Sequence, residues 1–359
     1  MARPLVAQID LEALAANVDR ARAMSAGARV LAVVKADAYG HGLMRVLPAL
    51  GAADGLALIE LDKAVRLREA GEKRPILLLE GFFEAAELPT LAAHRLATVV
   101  HSIEQIAMLE AARLSHPLDV WLKTNTGMNR LGIAPDDVRA LALRLASAPG
   151  VASLHLMMHF ARSEDAHGIA EPLARFAAAC EGLPYPRSIA NSAAVARYGE
   201  VGGDAVRPGI ILYGATPFAN RTAADLGLAP VMTLRSKLIG VQALRAGESV
   251  GYGATFTATR PTRIGVVACG YADGYPRHAP NGAPVLVDGQ RVPIAGRTSM
   301  DMITVDISSL PDARVGSDVV LWGKGLPVDD VARAAGTVGY ELLCAVAPRV
   351  PFAVERGEG

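Results

Sequence analysis

The 359-residue sequence has no excess of charge: 36 Lys+Arg stand against 36 Asp+Glu. A chain that grips nucleic acid or an anionic membrane carries a basic excess, and no dense Lys/Arg run supplies one locally. Neither partner is expected. Long apolar runs are missing too. Pro75 to Leu79 is typical of the longest, far short of the roughly 20 residues that cross a bilayer. The N-terminal stretch meets Gln8, Asp10 and Glu12 too early to hold the apolar region of a signal peptide. Cysteine is scarce: Cys180, Cys269 and Cys344 form no CxxC pair and no disulfide framework. These absences lead to the expectation of a soluble, cytoplasmic protein. Apolar residues make up 51% and charged ones 20%, so a large core can be buried and disorder is excluded. The length suggests about two domains.

What is present is an alternation. Short apolar runs occur at 29–34, 55–60, 75–80, 96–100, 118–123, 152–159, 187–190 and 205–214, each as expected of a strand buried on both faces. Segments with helical periodicity lie between them, such as Leu61 to Ala70, Ser102 to Leu114 and Pro135 to Ala148. Eight strands alternating with helices read as a (β/α)8 TIM-type barrel of the α/β class. An open doubly wound sheet would need a glycine-rich dinucleotide turn after an early strand, and none is present. From Val231 the texture changes to β-like runs joined by Gly and Pro turns, interrupted by one helix at Val328 to Ala335. The expected organisation is a barrel over 1–225 and a mainly β domain over 226–359.

In such a barrel, functional residues sit at the C-terminal ends of strands. Those ends carry Lys35, then Lys123 with Arg130 just beyond, then His159, then Asn191 and Ser192, and last Arg207 to Tyr213. A Ser192 hydroxyl with backbone N–H groups near Gly209 and Ile210 can cradle a dianion. A lysine facing a phosphate pocket suggests pyridoxal phosphate held as a Schiff base. A sugar-phosphate enzyme with a Schiff-base lysine fits the same pieces. His155 and His159 are four apart, but on a strand rather than a helix and without an HExxH motif, so no metal site is expected and His155 reads as a packed barrel residue. Cys269 and Cys344 read as small core residues.

The local strings separate these alternatives. AVVKADAYGHG (32–42) puts a lysine at a strand end with a tyrosine four residues on. It is followed by TGMNRLG (126–132), MMHF (157–160), IANSAA (189–194), VRPGIILYG (206–214), VGYGATFTA (250–258), GYADGYPR (270–277), GRTSMDM (296–302) and YELLC (340–344). This series resembles the alanine racemase family, including its catabolic type, along the whole chain. The resemblance implies a homodimer that interconverts L- and D-alanine through an aldimine of pyridoxal 5′-phosphate, for peptidoglycan supply or D-alanine catabolism. It makes Lys35 the cofactor-bearing lysine and the base on one substrate face, and Tyr252, from the partner subunit, the opposite base. Arg207 would face the pyridine nitrogen, with His159 bonded to it. Tyr39, Ser192, Gly209, Ile210 and Tyr340 would contact the phosphate, and Arg130 and Met300 the substrate carboxylate. Tyr271 would line the entrance, with Asp301 beside it, and Lys123 would carry a carbamate orienting Arg130. The chain departs from the family at Asn125, where an aspartate is usual, which removes a negative charge near Lys123 and Arg130. A decarboxylase of basic amino acids shares this architecture but carries a CESGD-like motif that ACGYADG (268–274) does not match. A non-catalytic pyridoxal-phosphate carrier would have the barrel alone.

Overall fold

The computed structural model describes residues 3–165 and 167–355. Eight parallel strands close into a barrel: β2 (Arg29–Val33), β3 (Gly55–Leu58), β4 (Ile76–Leu78), β5 (Ala97–Val100), β6 (Leu118–Lys123), β7 (Val151–Met157), β8 (Arg187–Asn191) and β9 (Ala205–Arg207). β3, β4 and β5 are buried at every position, which is why their sequence reads as continuous apolar runs: helices cover one face and the barrel interior the other. Closure comes from pairing of β2 with β9, Arg29 opposite Ala205 and Val30 opposite Val206.

One strand departs from the expected division. β1 (Val6–Ile9) precedes the barrel in the chain, yet pairs antiparallel with β10 (Met232–Leu244) and parallel with β18 (Phe352–Val354). Its burial alternates, unlike that of β3, β4 and β5, as expected of a strand in a sheet buried on one face. The second sheet has eight strands, including β13 (Thr262–Val267), β14 (Pro284–Val287), β15 (Gln290–Pro293), β16 (Ile303–Asp306) and β17 (Asp318–Trp322) around the long β10. Strands β11 (Ser249–Val250) and β12 (Phe256–Thr257) form a separate pair. The helix Leu11–Ala23 joins the two units. Asp10 caps it by accepting from Ala13 N, and buried Asn17 bonds Leu212 O and both backbone groups of Ala229.

The helix expected at Val328 to Ala335 is present as Val328–Ala334, and a second, unexpected helix follows at Gly339–Cys344. Gly336, at φ 72°, breaks the run. Among the described residues no helix is long and apolar enough to cross a membrane.

Candidate active site

The segment after β2 is the most unusual backbone in the molecule. Ala36, Asp37, Ala38 and Tyr39 all have φ between 53° and 56°, a left-handed turn built without glycine. Each such residue costs roughly 1–2 kcal/mol relative to the right-handed form, so the turn persists only because its surroundings hold it. Ala38 N donates to Val34 O at 2.9 Å and Gly40 N to Ala36 O at 2.9 Å. The Asp37 carboxylate accepts from Leu43 N. His41 is fully buried with Nδ1 2.9 Å from Tyr39 O and 3.0 Å from Ala38 O. Two carbonyl acceptors require Nδ1 to carry the proton, and burial lowers this imidazole to about 4, keeping it neutral. Gly40 presses on the helix Gly339–Cys344 so closely that a Cβ would sit 2.1 Å from Leu343 O. The result aims Lys35 into a cavity at the C-terminal mouth of the barrel, of about 870 Å³.

One side of that cavity gathers hydroxyl and backbone donors. Asn191 caps the helix Ser192–Tyr198, and Ser192 Oγ accepts from Gly209 N at 2.8 Å. A Cβ at Gly209 would lie 2.3 Å from Tyr39 Oη, so glycine alone lets that phenol reach the backbone. The Tyr39 ring stacks on Tyr213 at 4.7 Å and lies 6.0 Å from Tyr340. Burial raises the phenols of Tyr39 and Tyr340 well above the ordinary value, so both stay protonated donors. Ile210 is fully buried beside Gly209, and its side chain does not line the cavity. This donor set fits the phosphate of pyridoxal phosphate.

The other side is cationic. Arg207 is buried and donates to Ser188 Oγ and, at 2.6 Å, to Met158 O. Among the described residues no hydrogen bond joins it to His159. The expected pairing is instead a charge effect: burial first, then Arg207, push His159 down to about 3, so it is neutral. Burial lowers Arg207 itself to about 10, still charged at neutral pH. Lys123 falls to about 8, through burial and the neighbouring Arg130 and Arg207. Asn125 does not face these cations. Its Oδ1 accepts from Gly127 N and Asn129 N, and its Nδ2 donates to Asn129 Oδ1, folding the loop that leads to Arg130.

Four expected site residues lie away from the cavity. Tyr252, Met300 and Tyr271 are 73%, 52% and 37% exposed on the second unit, and Asp301 pairs with Arg349 at 2.6 Å. Cys344 corrects the expectation of a core residue: it is exposed and lines the cavity, while Cys269 is buried as expected. His155 stacks on Trp121 at 4.6 Å, and among the described residues no group of three His, Cys, Asp or Glu is placed to hold a metal. Sequence reasoning missed Tyr213 and His41 as supports of the lysine segment. The signal was in hand: His41 and Tyr213 lie within the recognised strings AVVKADAYGHG and VRPGIILYG.

Comparison with known proteins places the chain in a family. The alanine racemase N-terminal domain matches residues 9–217 and the alanine racemase C-terminal domain residues 231–354. The catabolic alanine racemase of Klebsiella aerogenes is 55% identical over 98% of this chain and 99% of its own. The biosynthetic alanine racemase of Pseudomonas aeruginosa superposes with a TM-score of 0.96 at 50% identity, over 99% of this chain and 100% of its own. That of Bartonella henselae, solved with covalently bound pyridoxal phosphate, does so at 0.88 and 28%, over 98% of this chain and 99% of its own. With both domain types matched in order and these relatives aligned nearly end to end, the chain belongs to the alanine racemase family.

Proposed function

We propose that this pyridoxal-phosphate-dependent enzyme, which interconverts the enantiomers of alanine, works by two opposed bases, Lys35 and the partner subunit's Tyr252. One observation carries the reading: a single cavity gathers Lys35, Tyr39, Ser192, Arg207 and Tyr340, while Tyr252 stands outside it on an exposed surface. A second base on the opposite face of a substrate held there must come from another chain, which makes the active unit a homodimer. The two-fold arrangement completes both sites by the same contact.

When bound, pyridoxal phosphate supplies the electron sink that acidifies the α-hydrogen of the amino acid. The chain does the rest. Ser192, the N–H groups at Gly209 and Ile210, and the phenols of Tyr39 and Tyr340 hold the phosphate. Arg207 stays charged and can only donate, so it leaves the pyridine nitrogen without a full proton. Arg130 pairs with the substrate carboxylate, with Met300 of the partner subunit beside it, and Lys123 as a carbamate would fix the Arg130 fork. Lys35, as the free amine, removes the α-proton on one face, and Tyr252 of the partner subunit returns one on the other. Each positioned base contributes roughly 10²–10⁴-fold. The enantiomers are equal in free energy, so the same site supplies D-alanine for peptidoglycan or consumes it in catabolism, according to which enantiomer is in excess.

Incubation with pure L-alanine tests the reading: D-alanine should form without CO₂. Borohydride should trap the cofactor on Lys35, and Lys35→Ala should lose the trapped adduct and nearly all activity. Adduct mapping to another lysine, or CO₂ release, would overturn it.

A further inference from the structure

Two loops of the second unit, 270–275 and 299–302, are fastened to each other. Tyr271 N donates to Ser299 O at 3.0 Å and Ala272 N to Met300 O at 3.0 Å. Gly270 runs so close beneath that a Cβ would lie 2.3 Å from both Ser299 O and Met300 O. Behind this seam sits the carboxylate of Asp273, with no side-chain exposure. Its Oδ2 accepts from Gly270 N at 2.9 Å and Arg3 Nη2 at 2.7 Å, and its Oδ1 from Arg3 Nη1 at 2.6 Å and Arg349 Nε at 2.7 Å. The same two guanidinium groups continue to the second loop. Arg3 Nη2 donates to Asp301 O and Arg349 Nη2 to Asp301 Oδ1, each at 2.6 Å. One buried carboxylate thus ties together residues near 3, 270, 300 and 349.

Asp273 does not itself line the cavity of its own barrel; its backbone carbonyl accepts from Ala347 N, just beyond the helix Gly339–Cys344. What the brace holds are loops that present Tyr271, Met300 and Met302 to the outside. Burying a carboxylate between two arginines adds little net stability, but it sets direction, because each arginine donates to both loops at once. We propose that Asp273, with Arg3 and Arg349, is a positioning residue that aligns Tyr271 and Met300 for the active site of the partner subunit. The inference rests on the shared-site reading above. Loops that meet the substrate carboxylate and its entrance act on binding, so their misplacement raises KM more than it lowers kcat.

Subunit mixing tests this. Asp273→Asn keeps the volume but turns a donor towards the arginines. As a homodimer it should retain its cofactor absorbance, raise KM for alanine on the order of tenfold and lower kcat less. Mixed with Lys35→Ala, half the dimers become heterodimers, each pairing the intact barrel of the Asp273→Asn chain with the intact loops of the other. Activity with wild-type KM should then return at about a quarter of the wild-type level. A mixture of Lys35→Ala with Tyr252→Phe is the control and should recover to a similar extent. Recovery in both mixtures supports the proposal. Recovery in the control alone places Asp273 in its own chain's stability and overturns the proposal, leaving the shared site intact. Recovery in neither, with subunit exchange verified by mass, overturns the shared site and the proposal together. If the Asp273→Asn chain does not accumulate, Arg349→Gln, at an exposed side chain, takes its place in the same three comparisons.

Discussion

Gly209 and the phenol of Tyr39 compete for one space: a Cβ on Gly209 would lie 2.3 Å from Tyr39 Oη and 3.0 Å from Cζ. The ring cannot easily retreat, because its far face stacks on Tyr213 at 4.7 Å. Gly209→Ala therefore pushes Tyr39 out of the phosphate cradle. Overpacking of this kind costs about 1–3 kcal/mol, so retention of pyridoxal phosphate should weaken on the order of tenfold to a hundredfold. Equilibrium dialysis against free cofactor measures it. Unchanged retention would remove the Tyr39 hydroxyl from the cradle.

The left-handed turn makes a prediction of opposite sign. Ala36 is exposed and sits at φ 53°, where glycine pays no steric penalty. Ala36→Gly should raise thermal stability by up to about 1 kcal/mol. His41→Ala should lower it by about 1–3 kcal/mol, because the Ala38 and Tyr39 carbonyls lose their buried donor. Thermal denaturation of the two variants decides, and destabilisation by Ala36→Gly would argue against the turn.

Lys123 links activity to pH. Carbamylation needs the free amine, and burial with Arg130 and Arg207 brings this lysine down to about 8. With ¹³C-bicarbonate, a carbamate resonance should grow as pH rises towards and through 8, and vanish in Lys123→Met. The linkage has the same sign. Between about 8 and the ordinary lysine value, the unfolded chain binds a proton that the folded one does not. Lys123 therefore adds stability as pH rises through that window, and this is lost as pH falls through about 8. Absence of the resonance across the range would reject the carbamate.

Arg207→Glu replaces a group that only donates with one that can give up a proton to the ring nitrogen. Racemisation should fall by orders of magnitude, while slow formation of pyruvate from alanine, the mark of protonation at the wrong carbon, should rise. A chiral assay for D-alanine and a pyruvate assay on one sample separate the two effects. Unchanged rates of both would mean that Arg207 does not face the ring.

The barrel was legible because its strands bury both faces, and a doubly buried strand leaves a short apolar run in the sequence. Lys35, Arg207 and Ser192 were legible as strand-end residues within strings that resemble one family. Other features left no such trace. Val6–Ile9 precedes the barrel but lies between two strands beyond residue 230, β10 and β18, a pairing that exists only once the C-terminal sheet has formed. Ala36, Asp37 and Ala38 have no intrinsic preference for left-handed backbone, and contacts made by His41, the Asp37 carboxylate, Tyr213 and the neighbouring helix hold them there. Nothing in GYADGYPR announces that its aspartate meets arginines 270 residues before it and 76 after it. Composition and periodicity determined which segments are buried, because burial on a strand or helix is a property of neighbours a few residues apart. Tertiary structure decided which buried groups meet, because an ion pair or a strained turn is stabilised by partners that the chain brings together only when the whole fold closes.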